Sequence, residues 1–178
     1  TDTYMEKEIK VLNVDTSKLK KRLEELGAKK VFDDNRIITT LDTKNRFYHG
    51  QDKLIRVTEE GSVKVSLHIN NSKPTMKQVI KYKASRAKEV FDLFEGLELH
   101  PYTRVSAHRT SYEYKGIDFD IDEFPFIPPF CEIDLENLNV PLSNLLNSCE
   151  LSDLKVVDIG TEDIFKSYNL DYFEIFKI

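Results

Sequence analysis

Apolar side chains recur along this chain with two different periods. In residues 15–27, DTSKLKKRLEELG, Leu19, Leu23 and Leu26 fall three or four positions apart, Asp15, Thr16 and Ser17 offer oxygens for a cap, and glycine closes the run. That pattern predicts an amphipathic helix. Val90, Phe91 and Phe94 mark a second helical stripe in SRAKEVFDLFEG, with Ser85 as the expected cap and Gly96 as the expected stop. Elsewhere the period is two. β-Branched and polar residues alternate over residues 36–41, 53–58 and 63–69, and Glu59, Glu60 and Gly61 read as the turn between the last two. Further strands are expected at residues 77–83, in RVSAHRTSYEY, in IDFDID and in FCEIDLENL, while PLSNLLN and TEDIFKSYNLDYFEIF read as short helices. With EKEIK as the first strand, this makes about eight strands joined mostly by short turns, hence an α+β protein on a large antiparallel sheet or barrel.

Successive strand residues point to opposite faces, so each strand divides into two sets. In VKVSLHIN, Val63, Val65, Leu67 and Ile69 oppose Lys64, Ser66, His68 and Asn70. In GIDFDID, Ile117, Phe119 and Ile121 oppose Asp118, Asp120 and Asp122, and in FCEIDLE, Cys131, Ile133 and Leu135 oppose Glu132, Asp134 and Glu136. The first strand puts Glu6, Glu8 and Lys10 together. The plain explanation is that these polar faces meet water, as one side of an antiparallel sheet usually does. Against it stands the sorting of charge: carboxylates gather on the first strand and around Glu132, whereas Lys10, Arg56 and Arg109 stand among uncharged neighbours. A sheet closed with its polar face inward would form a tunnel with an acidic wall suited to Mg²⁺ or Mn²⁺ and a basic wall suited to phosphate oxygens.

Composition narrows this further. The 178 residues suffice for one sizeable core, and the even composition predicts a single domain over residues 1–178. A net charge of −5 argues against a general nucleic-acid binder, which needs an excess of Lys and Arg, so any basic site is local. No apolar run approaches a membrane span, and a cytoplasmic protein is expected. Two cysteines, Cys131 and Cys149, without CxxC spacing predict reduced thiols.

EKEIK resembles the ExExK signature of the CYTH superfamily, the triphosphate tunnel metalloenzymes that include class IV adenylate cyclases and thiamine triphosphatases. Matches follow in order over nearly the whole chain. The helix LKKRLEELGAKKVFDD resembles the family's first helix and its exit, TLDT the YYDT-type strand, and LIRVTEEG the ALRIREEG segment, which places Arg56 on its first arginine. VSLH resembles the LTxK strand and VSAHRTSY the VxKxRxxY strand, with Arg109 and Tyr112 on its last two anchors. FDIDEFPFIPPFCEID is similar to the acidic strand pair, with Asp122, Glu132 and Asp134 on family acids, and KSY resembles the C-terminal SY element. The first helix and IPPFCEID lean toward the class IV adenylate-cyclase-like branch. Departures accompany the matches: Thr58, His68 and Ala107 stand where basic residues are expected, and KQVIKYK places Val79 and Lys81 at or beside an expected acidic pair.

The resemblance implies an eight-stranded antiparallel β-barrel or tunnel with helices packed outside. It implies Mg²⁺ or Mn²⁺ held by Glu6, Glu8, Glu132 and Asp134, with Glu6, Glu8 and Lys10 serving catalysis. Lys10, Arg56, His68 and Arg109 would bind the substrate, a nucleoside triphosphate or another inorganic or organic triphosphate. For Lys10, Arg56 and Arg109 the competing reading is ion pairing with those same acids, and Asp122 is open between structure and function. The implied activity is adenylate-cyclase-like, ATP to cyclic AMP and pyrophosphate. The alternatives are a triphosphatase acting on thiamine triphosphate, tripolyphosphate or a nucleoside triphosphate, and a non-catalytic nucleotide or polyphosphate binder. Neither nucleic acid nor membrane is an expected partner, and a homodimer is left open.

Overall fold

The computed structural model describes residues 2–5, 7–73 and 76–178. In chain order its elements are β1 (Asp2–Met5), β2 (Glu8–Leu12), α1 (Thr16–Glu25), β3 (Lys29–Asp42), α2 (Phe47–Gly50), β4 (Lys53–Glu59), β5 (Val63–Ile69), β6 (Gln78–Ala84) and α3 (Ala87–Gly96). There follow β7 (His100–Tyr114), β8 (Ile117–Glu123), β9 (Phe130–Asp134), α4 (Leu142–Ser148), β10 (Val156–Val157), α5 (Thr161–Ser167) and α6 (Tyr172–Ile175). The antiparallel α+β class is as expected, with ten strands among the described residues where eight were anticipated. The additions have simple causes. β1, Asp2–Met5, precedes EKEIK, whose residues from Glu8 onward lie in β2, and the two residues of β10 are too few for alternation to register.

The chain forms two compact units, through both of which β3 and β7 run. The first contains β1, Arg36–Ser106 and Gly160–Ile178; the second contains Lys7–Asn35 and Ala107–Ile159.

In the second unit, α1 starts where Asp15 accepts a hydrogen bond from the Lys18 amide at 3.0 Å. It ends before Gly27, whose φ of +84° a side chain would strain. Leu19 and Leu23 on α1 and Leu145 and Leu146 on α4 pack against Ile9, Val11, Ile117, Phe119, Ile121 and Ile133 from β2, β8 and β9. Each such side chain withdrawn from water contributes about 1.5–3 kcal/mol. Cys131 and Cys149 lie free and buried in this core. Burial pushes the Cys131 thiol well above its ordinary value and that of Cys149 up to about 11, which leaves both protonated and unreactive.

In the first unit the ladder runs β1-β6-β5-β4-β3. Leu41, Ile55, Val57 and Val65 pack with Val90 of α3 and Leu99, and Phe91 and Phe94 lie against them. Ser85 does not cap α3; Arg86 takes the N-cap position without a side-chain hydrogen bond. The turn at Glu59, Glu60 and Gly61 forms as expected, with Gly61 at φ +71°. Four-residue α2 escaped the sequence reading because it is organised by a distant carboxylate: Asp42 accepts from the amides of Tyr48 and His49 at 3.1 and 2.9 Å. Phe165, Tyr172 and Phe176 form an edge-to-face cluster across α5 and α6.

Candidate functional site

Strand register assembles the carboxylates of the second unit on one face. Glu8 lies opposite Asp134 and Lys10 opposite Glu132, while Asp120 faces Glu132 across the next ladder. On the far side Ser111 faces Asp120, Arg109 faces Asp122 and Glu113 faces Asp118. The opposite face of the same strands is the apolar core, so fixing the core side of β2, β8 and β9 fixes the acidic side as well. Asp118 shows the consequence of this crowding: partial burial first, then the charges of Asp120, Asp134 and Glu113, raise its pKa above the ordinary carboxylate value.

Two cations sit within this field. Lys10, 5% exposed, places Nζ 3.3 Å from Glu8 Oε1 and 3.9 Å from Glu132 Oε1. Arg109 directs all three guanidinium nitrogens at carboxylates: Nε and Nη2 donate to the two oxygens of Asp122 at 2.6 and 2.8 Å, Nη2 also reaches Glu132 at 3.4 Å, and Nη1 lies 3.2 Å from Asp120. Burial alone would lower the Arg109 pKa, but Asp122, Asp120 and Glu132 outweigh it and hold the guanidinium charged. Asp122 is 1% exposed and serves this pairing. For Lys10 and Arg109, then, the structure displays the ion pairs that were the competing reading.

Glu6 lies outside the described residues. Among the described residues no three His, Cys, Asp or Glu side chains converge as a metal-holding group. The donor chemistry of the face nevertheless fits a hard divalent cation, since Glu8, Glu132, Asp120 and Asp134 offer carboxylate oxygens in excess of the local positive charge. Asp134 also accepts from the Glu136 amide at 2.9 Å, which fixes the carboxylate at the strand end.

The first unit carries the opposite charge on its polar face. Thr40 faces Arg56, Arg56 faces Ser66, Thr58 faces Lys64, and Ser66 faces Lys81. Arg36, Thr40, Thr58, Ser66 and His68 are all buried, so the water-facing explanation fails for this face, as it does for Lys10, Ser111 and Asp122. Arg56 has a buried Nε with no hydrogen-bond partner among the described residues. His68 accepts or donates at Nε2 with Ser66 Oγ, 3.1 Å away, while its buried Nδ1 has no hydrogen-bond partner among the described residues. Burial, then the charges of Arg56, Lys77 and Lys81, push its pKa well below the ordinary histidine value, so the imidazole is neutral at pH 7.

Two features of this face escaped the sequence reading. Glu60, at the expected turn, pairs with Lys64 and with Arg36, whose Nε lies 3.4 Å from Glu60 Oε2. Arg36 shares the alternation of Ile38 and Thr40, which was the available signal. Lys83 is exposed, whereas Lys64 and Lys81 are half-buried beside the expected but absent cations. Ala107, in the position of an expected lysine, is buried and offers no charge.

Comparison with known proteins places the chain. No curated protein matches it. Among solved structures, a candidate adenylate cyclase from Vibrio parahaemolyticus aligns with a TM-score of 0.74 at 12% identity, covering 91% of this chain and 98% of its own. Another from Bacillus halodurans aligns with a TM-score of 0.63 at 15% identity, covering 94% and 99%. A candidate adenylyl cyclase from Hippeastrum, described as having a dominant triphosphatase activity, aligns with a TM-score of 0.67 at 15% identity, covering 92% and 96%. These likenesses establish the fold. The CYTH domain description matches residues 5–140, and the chain belongs to the CYTH domain family.

Proposed function

We propose that this protein carries out metal-dependent phosphotransfer on a triphosphate, in an adenylate-cyclase-like reaction that turns ATP into cyclic AMP and pyrophosphate. The observation that carries this reading is the separation of charge by unit: Glu8, Glu132, Asp134 and Asp120 share one polar face, and Arg36, Arg56, Lys64 and Lys81 share another. Glu8, Glu132 and Asp134, with Glu6, would hold Mg²⁺ or Mn²⁺. When bound, such an ion neutralises charge that develops on phosphate oxygens during transfer.

In this reading Arg56 grips phosphate through donors that find no protein acceptor at Nε, and His68 and Ser66 add hydrogen bonds from the adjacent strand. Lys10 and Arg109 keep mutually repelling carboxylates together and add positive charge for the substrate. The ribose 3′-hydroxyl oxygen bonds to the α-phosphorus and loses its proton to solvent, while the bond from that phosphorus to the bridging oxygen breaks and pyrophosphate departs. No side-chain nucleophile is needed, so the protein contributes position and electrostatics.

The second reading is a triphosphatase, in which water attacks the terminal phosphorus of ATP, thiamine triphosphate or tripolyphosphate. Likeness to the Hippeastrum protein favours it. Neutral Thr58, His68 and Ala107 favour a weaker grip, which in the limit is binding without turnover. Incubation with Mg²⁺ or Mn²⁺ and each triphosphate, with products resolved by ³¹P NMR, separates these outcomes. Cyclic AMP with pyrophosphate supports the cyclase and orthophosphate the triphosphatase. Binding of the same compounds without turnover overturns both.

A further inference from the structure

Proton-coupled binding follows from the burial of an uncharged histidine with a ring nitrogen that has no hydrogen-bond partner among the described residues. His68 is 2% exposed and shares the polar face of β5 with Ser66. Across from it stand Leu54 on β4 and Val79 on β6, neither able to form a hydrogen bond through its side chain. Among the described residues, burial first and then the charges of Arg56 from β4, Lys77 before β6 and Lys81 on β6 disfavour its imidazolium. One ring nitrogen is engaged with Ser66 and the other, buried, has no hydrogen-bond partner among the described residues.

We infer that an oligophosphate anion bound on the basic face of the first unit is accompanied by a proton taken from solvent onto His68. This rests on the reading of that face as the phosphate-holding half. In the free protein burial, and after it the charges of Arg56, Lys77 and Lys81, disfavours the imidazolium, so the imidazole remains neutral. A polyanion held by Arg56 adds negative charge beside the ring and favours the imidazolium. The imidazolium then has two N–H donors, one toward Ser66 and one at Nδ1 for the incoming oxygen. The proton balance is simple: solvent or buffer loses one proton, His68 gains it, and no covalent bond to the ligand forms. A lysine there would already be charged and would take up none.

The coupling makes this face selective for acid conditions. Affinity for a fully ionised anion rises as pH falls, by at most about tenfold per pH unit for one linked proton. Neutral His68 thus acts as a conditional cation where a lysine would act as a permanent one.

The test is calorimetric titration of the full chain with inorganic tripolyphosphate, without metal, at pH 7 in two buffers of different ionisation enthalpy. Wild type is compared with His68→Gln and His68→Lys. Wild type is expected to take up more protons than either variant, by an amount approaching about one per bound anion. Histidine ring NMR of the wild type should show one imidazole becoming imidazolium on saturation, a readout that does not depend on either variant folding. Binding with equal proton uptake in all three proteins, and no new imidazolium, overturns the coupling but leaves the anion-binding reading intact. Failure of wild type to bind tripolyphosphate overturns that reading and the coupling with it.

Discussion

Arg109 and Asp122 face each other across β7 and β8 and are joined side by side, Nε and Nη2 donating to the two carboxylate oxygens at 2.6 and 2.8 Å. Asp120 and Glu132 close round the same guanidinium. This pairing makes Arg109 a pillar of the acidic face before it is anything else. Arg109→Met should therefore strand buried negative charge and lower unfolding free energy by about 3–5 kcal/mol. Arg109→Lys should restore only part of that, because an ammonium cannot reproduce the two parallel bonds. Urea denaturation at pH 7 measures both, and a loss below about 1 kcal/mol for Arg109→Met would show that the carboxylates are held by something else.

Asp118 makes stability depend on pH. Its folded pKa is raised above 3.8, first by partial burial and then by Asp120, Asp134 and Glu113. A carboxyl shifted in this direction favours the folded state when protonated and loses that contribution as pH rises through the folded value. Asp118→Asn should therefore stabilise the protein at pH 7, by less than about 1 kcal/mol after solvent screening, and the gain should vanish below the unfolded-state pKa. Thermal melts at pH 7 and pH 3.5 give the comparison; an equal gain at both would locate the effect outside the carboxylate repulsion.

Two phenols should resist alkali. Tyr112 and Tyr172 have raised pKa values, each mainly through burial, with the Glu24 carboxylate, 2.8 Å from the Tyr112 hydroxyl, adding to the first. Neutral phenol favours the fold here, so this contribution is complete below the unfolded tyrosine value and is lost as pH rises through the folded one. Ultraviolet titration should show the Tyr112 and Tyr172 phenols ionising only as the protein unfolds, and Tyr112→Phe should remove one phenol from that late step. A single smooth transition for all tyrosines near pH 10 would contradict the packing of both residues.

The antiparallel class and the division of strands into two faces were legible because β5 and β8 alternate apolar and polar residues with a period of two. What the pattern could not supply was contact at long sequence distance. Sequence leaves Arg109 open between a phosphate contact and an ion pair, and only the register of β8 and β9 brings three carboxylates to it. Glu60 sits at a turn in the sequence, and only β3 brings Arg36 to it. Asp42 shaped α2 through backbone amides six and seven residues away, which no local propensity encodes. The neutrality of His68 was equally hidden, since it depends on burial and on cations from two other segments.

We propose that the carboxylates beside Lys10 hold a divalent ion needed for turnover of a triphosphate. Turnover is measured against Mn²⁺ concentration in wild type and Glu8→Gln, with circular dichroism melts showing that the variant folds. Wild-type turnover should rise with Mn²⁺, and Glu8→Gln should need at least about tenfold more metal or lose turnover altogether. A folded Glu8→Gln variant with an unchanged Mn²⁺ profile would contradict it.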